Sequence, residues 1–207
     1  LMLVLPGVLC WSLQFDTGTL FPLGATLRRS WYWILPASFC VIFLSDFALR
    51  ATEYALPIPA GIQETLNQLL TVQSIGDFLK KLFLFCLLPA VAEEIYFRGF
   101  CQTTFEHRLG ITPAILFSAL LFALAHGNIW YLHLYFGLGC FLGWVYAESG
   151  SLWTAVTAHF LNNTWTFITH ILGWDITSVP PVAQVLLVLA SASGLYWAIR
   201  RPKTHPP

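Results

Sequence analysis

Two adjacent carboxylates, Glu93 and Glu94, close an apolar run that reads Leu82-Phe83-Leu84-Phe85-Cys86-Leu87-Leu88-Pro89-Ala90-Val91. No other feature restricts the fold as much. Taking a carboxylate out of water costs several kcal/mol, so acids in such a run need partners that the fold must supply. Arg98 stands one helical turn after Glu94 and can pair with it at i,i+4. Glu93 then points about 100° away and needs a partner from another part of the chain.

Composition says what surrounds this run. The chain has 207 residues, of which 57% are hydrophobic and only 10% charged, whereas a soluble domain carries about 25% charged residues. That is the balance of a protein whose solvent is the lipid bilayer. Ten basic residues offset ten acidic ones, so there is no basic excess to suit a nucleic acid, and that class of partner is set aside. Cys10, Cys40, Cys86, Cys101 and Cys140 stand apart in different segments. They read as apolar filler rather than as a thiolate metal site or a disulfide framework. The first ten residues have neither a basic start nor a small-residue cleavage signal after them, so no removable signal peptide is expected.

Seven stretches reach or approach the roughly 20 apolar residues that a spanning helix needs: 1–15, 31–49, 77–95, 112–126, 128–147, 152–173 and 181–199. The expected fold is an all-α, polytopic membrane helix bundle of about seven spans, forming a single transmembrane domain over 1–207. With the N-terminus outside and the C-terminus cytoplasmic, Arg28, Arg29, Arg98, Arg108, Arg200, Arg201 and Lys203 fall inside, and Arg50, Lys80 and Lys81 fall outside. Between the second and third stretches, 51–76 has mixed polarity with Pro57, Pro59 and Gly61, and reads as a turn followed by an interfacial helix.

The connection near residue 110 locates the partner of Glu93. Gly110 suits a helix C-cap, Thr112 an N-cap and Pro113 a first helical position. The helix carrying Glu93 is therefore expected to run on to about Leu109 and to return at once as an antiparallel hairpin. Positions equally far from that turn lie level, and His126 is nearly as far after it as Glu93 is before it. The charges at the tip (Glu106, His107, Arg108) suit a cytoplasmic projection, which would leave Glu93 and His126 in the inner part of the bilayer. After a second turn at Glu148-Ser149-Gly150-Ser151, His159 lies about 12–14 Å along the next helix, where it reaches the same layer. Asn163 shares its face one turn on, with Asn162 as a neighbour.

A carboxylate and a neutral imidazole that converge on one water can share its deprotonation. A second histidine and an amide nearby can stabilise the oxyanion formed when that water attacks a carbonyl. The set fits peptide hydrolysis. Glu93, His126 and His159 also have the number and kind of donors for a two-histidine, one-carboxylate zinc site, which stays open as an alternative.

Taken together, Glu93-Glu94-x-x-x-Arg98, then Phe122-x-x-x-His126, then His159-x-x-x-Asn163 on successive membrane helices resembles the CPBP family of intramembrane glutamic endopeptidases. That family includes the type II CAAX prenyl endopeptidases and bacterial bacteriocin-processing and self-immunity proteins. The resemblance covers Pro89 to Thr166, within a catalytic core at about 77–175. It implies an intramembrane protease in which Glu93 is the general base and His126 helps to hold and activate the water. His159 and Asn163 would form the oxyanion site, with Glu94 and Arg98 as a supporting pair. No metal cofactor is implied, and the implied substrate is a membrane-anchored protein or peptide. The implied location is integral and multi-pass, in the plasma membrane of a prokaryote. A scaffold or immunity protein of the same fold that binds a partner without cutting it is the non-enzymatic alternative.

Other residues read more plainly. Phe122 reads as packing, Asp46 as an intramembrane acid one turn from Arg50, and His133 and His170 as interfacial or core. The nine tryptophans suit interface belts.

Overall fold

A computed structural model describes residues 27–174 and 178–200, with the side chains of 27–31 left aside. Among the described residues the chain is all helical, in seven continuous rods. We label them α1 (Leu27–Ala55), α2 (Ala60–Leu70), α3 (residues 75–109), α4 (Ile111–Ala125), α5 (Leu132–Ser149), α6 (Leu152–Leu172) and α7 (Pro181–Arg200). The architecture is a helical membrane bundle. Tyr32–Ala55 and Pro181–Arg200 are long and apolar enough to cross a bilayer, and Ile111–Ala125 is apolar but shorter. The remaining expected stretches coincide with helices, except 1–15, which lies outside the described residues.

α3 is the axis of the structure. It begins at Ser74, whose Oγ accepts from the Asp77 N–H, and Asp77 pairs with Lys81 at 3.0 Å. It runs unbroken to Leu109, as the sequence predicts, but two of its stretches, Leu82–Leu87 and Ile95–Gln102, are wound as π-helix. At the far end, Gly110 takes φ 83°, a left-handed conformation that favours glycine. This one residue caps α3 and also precedes the first turn of α4. The expected N-cap at Thr112 is therefore displaced: α4 starts at Ile111, and Thr112 and Pro113 are already inside it.

The core lies where α3, α4, α5 and α6 meet, and is closed on one side by α1 and α7. Phe97, Phe122, Leu142 and Val145 are buried at its centre, with Trp33 and Ile34 of α1 against them. Phe122 meets Phe97 edge-on at 5.2 Å, so the packing role expected of it is what the fold shows. α2 has no buried residue and lies outside the core, as an interfacial helix would.

The polar rungs between α3 and α5 matter most for the site. Arg98 donates to the Gly139 carbonyl at 2.9 Å, Gln102 donates to the Gly143 carbonyl at 3.0 Å, and Thr103 meets the Tyr146 hydroxyl at 3.2 Å. At Gly139 the absent side chain lets α5 approach α4, and at Gly143 it leaves room for the Gln102 amide from α3. A Cβ on Gly139 would stand 2.9 Å from the Ala119 Cα, and one on Gly143 would stand 2.7 Å from the Gln102 Oε1. Gly139→Ala is expected to lower stability by about 1–3 kcal/mol through overpacking. Gly137→Ala, which meets open space, should raise it by about 0.5–1 kcal/mol. Thermal unfolding of the two variants in detergent checks the pair, and equal shifts would contradict it.

Candidate active site

The acids at the middle of α3 divide their partners. Glu94 is fully buried, and its Oε1 accepts from Arg98 Nη1 at 2.8 Å and from His159 Nδ1 at 2.8 Å. Arg98 is fully buried too, and its guanidinium lies 4.8 Å from the centre of the Phe122 ring. The i,i+4 pair read from the sequence is present, and its second partner, His159, comes from α6. Two charges in the core are thus held by each other, a carbonyl, an imidazole and an aromatic face.

Glu93 points about 100° round α3 from Glu94 and meets the other edge of the same His159 ring. Its Oε2 is buried and makes no hydrogen bond with the protein. His126 Nε2 and His159 Nε2 each stand 3.9 Å from that oxygen. Hydrogen bonding assigns the proton on each ring. His126 Nδ1 lies 2.8 Å from the Phe122 carbonyl, an acceptor, so Nδ1 carries the hydrogen and a neutral ring turns its Nε2 lone pair toward Glu93. His159 Nδ1–H donates to Glu94, so its Nε2 is likewise the atom left to face Glu93.

α4, α3 and α6 therefore deliver three groups to one point. His126 is the C-cap of α4, sixteen residues beyond Gly110, so the site lies about 25 Å from the charged turn at 1.5 Å per residue. It sits beside the loop that leads into α5.

Comparison with known proteins bears on the same stretch. Residues 76–165 match the family described as type II CAAX prenyl endopeptidase Rce1-like. This segment, somewhat under half of the chain, is similar to the Rce1-like family. The chain is also similar to the "Putative membrane peptidase YdiL" of Bacillus subtilis (strain 168), 23% identical over 136 residues. That alignment takes in 66% of this chain and 54% of the relative, so the chain spans about half the length of the curated relative it matches. No solved structure matches. The Rce1-like segment contains Glu93, Glu94, Arg98, His126, His159 and Asn163, and so all three motifs of the CPBP resemblance.

Within the Rce1-like core, five of these six residues are joined by contacts of 3.9 Å or less. Asn163 is half-buried on α6, one turn beyond His159. Among the described residues, no group of three or more His, Cys, Asp or Glu is arranged to hold a metal ion.

Sequence reasoning missed two features. The His159 bond to Glu94 had no signal beyond shared depth. Tyr135 stacks on His126 with ring centroids 3.9 Å apart and planes 23° apart, and an aromatic one turn into α5, just after the loop, was the available sign. Asp46 was read as one turn from Arg50; Arg50 pairs with Glu53 at 2.8 Å.

Proposed function

We propose that this chain is an intramembrane endopeptidase that hydrolyses a peptide bond of a membrane-anchored protein or peptide. It would act as a single, multi-pass transmembrane domain of a prokaryotic plasma membrane. The observation that carries the reading is the convergence of His126 Nε2 and His159 Nε2 on the unbonded Oε2 of Glu93. Acceptors 3.9 Å apart are close enough for one water to reach both. The match of residues 76–165 to the Rce1-like family and the name of the Bacillus subtilis relative support the same class of reaction.

In this reading Glu93 removes a proton from the water while His126 Nε2 accepts its other hydrogen and aims it. The hydroxide adds to the carbonyl carbon, and the carbonyl oxygen becomes an oxyanion. The Asn163 amide and His159 Nε2–H stabilise that oxyanion. Because Glu94 holds His159 Nδ1–H, Nε2 presents a proton only when the ring is an imidazolium, and the Glu94 carboxylate compensates that charge. Glu93 then returns its proton to the amine nitrogen as the C–N bond breaks, so the cycle needs no other reactant.

The test is cleavage of a library of membrane-anchored peptides by the purified protein in detergent, with and without a strong chelator. Chelator-resistant cleavage that falls about 10²–10⁴-fold in His126→Ala is the expected result. Cleavage lost to chelator and restored by zinc would move the chemistry to the two-histidine, one-carboxylate metal site. A folded protein that cuts nothing, with a Glu93→Gln variant that functions normally in cells, would mean a scaffold or immunity role.

A further inference from the structure

His126 has little backbone support. It lies past the last turn of α4, its side chain is 23% exposed, and Gly127 follows at φ 62° and turns the chain into a loop. Its ring must nevertheless keep Nε2 toward Glu93. The Nδ1–H bond to the Phe122 carbonyl fixes one atom, and a single hydrogen bond leaves the ring free to tilt about it. The Phe122 ring, at 4.6 Å and 53°, touches His126 obliquely. Tyr135 covers a face of it, at 3.9 Å and 23°.

The mount of Tyr135 is itself braced. One turn earlier, the Tyr131 hydroxyl donates to Glu53 Oε1 of α1 at 2.8 Å, and His133 meets Thr52 of α1 at 2.9 Å. Asn128 Oδ1 accepts from the Trp130 N–H at 3.1 Å and closes the loop between His126 and α5. The start of α5 is thereby tied to α1, a helix that gives no residue to the proposed site.

We propose that Tyr135 is a positioning residue: its aromatic face holds the His126 imidazole in the plane that points Nε2 at Glu93 and its water. The proposal rests on the hydrolytic reading above. It requires the ring face and not the hydroxyl, because the stack is what meets His126. A loose imidazole still binds substrate normally, but it spends less time aligned, so the loss falls on turnover.

The experiment compares full-length wild type with Tyr135→Phe, Tyr135→Leu and Tyr135→Met, using a membrane-anchored peptide that wild type cleaves. Tyr135→Phe should keep kcat within about twofold, whereas the aliphatic variants should lose about tenfold or more in kcat with KM little changed. A second readout needs no substrate. In protein labelled at histidine, the ring-proton resonances of His126, assigned by their loss in His126→Gln, should lie upfield in wild type and Tyr135→Phe and move downfield in Tyr135→Leu. Wild-type kcat in both aliphatic variants, an equal loss in Tyr135→Phe, or an unshifted His126 resonance in wild type would each overturn the proposal. If Glu93→Gln stays active, the hydrolytic reading fails by itself, and the resonance of His126 still decides whether the stack exists.

Discussion

Glu93→Gln is expected to remove peptide-bond cleavage by at least about a hundredfold while the protein stays folded, the size expected when a general base is lost. Both halves follow from one atom. Glu93 Oε2 makes no hydrogen bond with the protein, so replacing the carboxylate by an amide of the same shape breaks no hydrogen bond at that atom. The amide cannot take a proton from water. Turnover of the cleaved peptide and thermal unfolding, measured on the same preparation, separate this from a structural carboxylate, whose loss would lower the melting temperature and leave the cleavage of the folded fraction unchanged.

Arg98→Met is expected to act the other way, on folding first. The guanidinium is fully buried and holds Glu94, so its removal leaves a buried carboxylate with only the His159 ring as partner, at a cost of about 3–5 kcal/mol. That is a large part of the stability of a typical domain, and folded yield in detergent should fall sharply. Adding Glu94→Gln to Arg98→Met removes the orphaned charge and should recover much of the loss. Failure of the double variant to recover would mean that the bond from Arg98 to the Gly139 carbonyl, and not the ion pair, is what the core needs.

The parts legible in sequence were those set by counting along one helix or across one tight turn. Glu94 and Arg98 pair because they are a turn apart, and Glu93 meets His126 because Gly110 folds a hairpin with equal arms. Where three helices must agree, counting supplies depth and no direction. His159 was placed in the right layer, but its bond to Glu94 depends on how α6 rotates against α3, which no periodicity records. The π-wound stretches of α3 escaped for a similar reason: Leu82–Leu87 and Ile95–Gln102 have the composition of ordinary membrane helix. The second begins immediately after Glu94 and carries Phe97, whose carbonyl accepts from the Ser118 hydroxyl at 2.7 Å. Gly139 and Gly143 carried no mark that they would receive Arg98 and Gln102.

The length of α4 bears on how water reaches a site among lipid chains. Its fifteen residues rise about 22 Å, against about 30 Å of hydrocarbon in an ordinary bilayer. On the proposed multi-pass reading, a rod that short would leave its end below the headgroups, and the membrane would answer by thinning or by letting the polar boundary dip inward. The end in question bears His126 and opens into the Gly127–Tyr131 loop, where Asn128 and Tyr131 are only partly buried. On that reading the shortfall of α4 would make an inlet, and the helix that carries the imidazole would also bring the aqueous phase down to it.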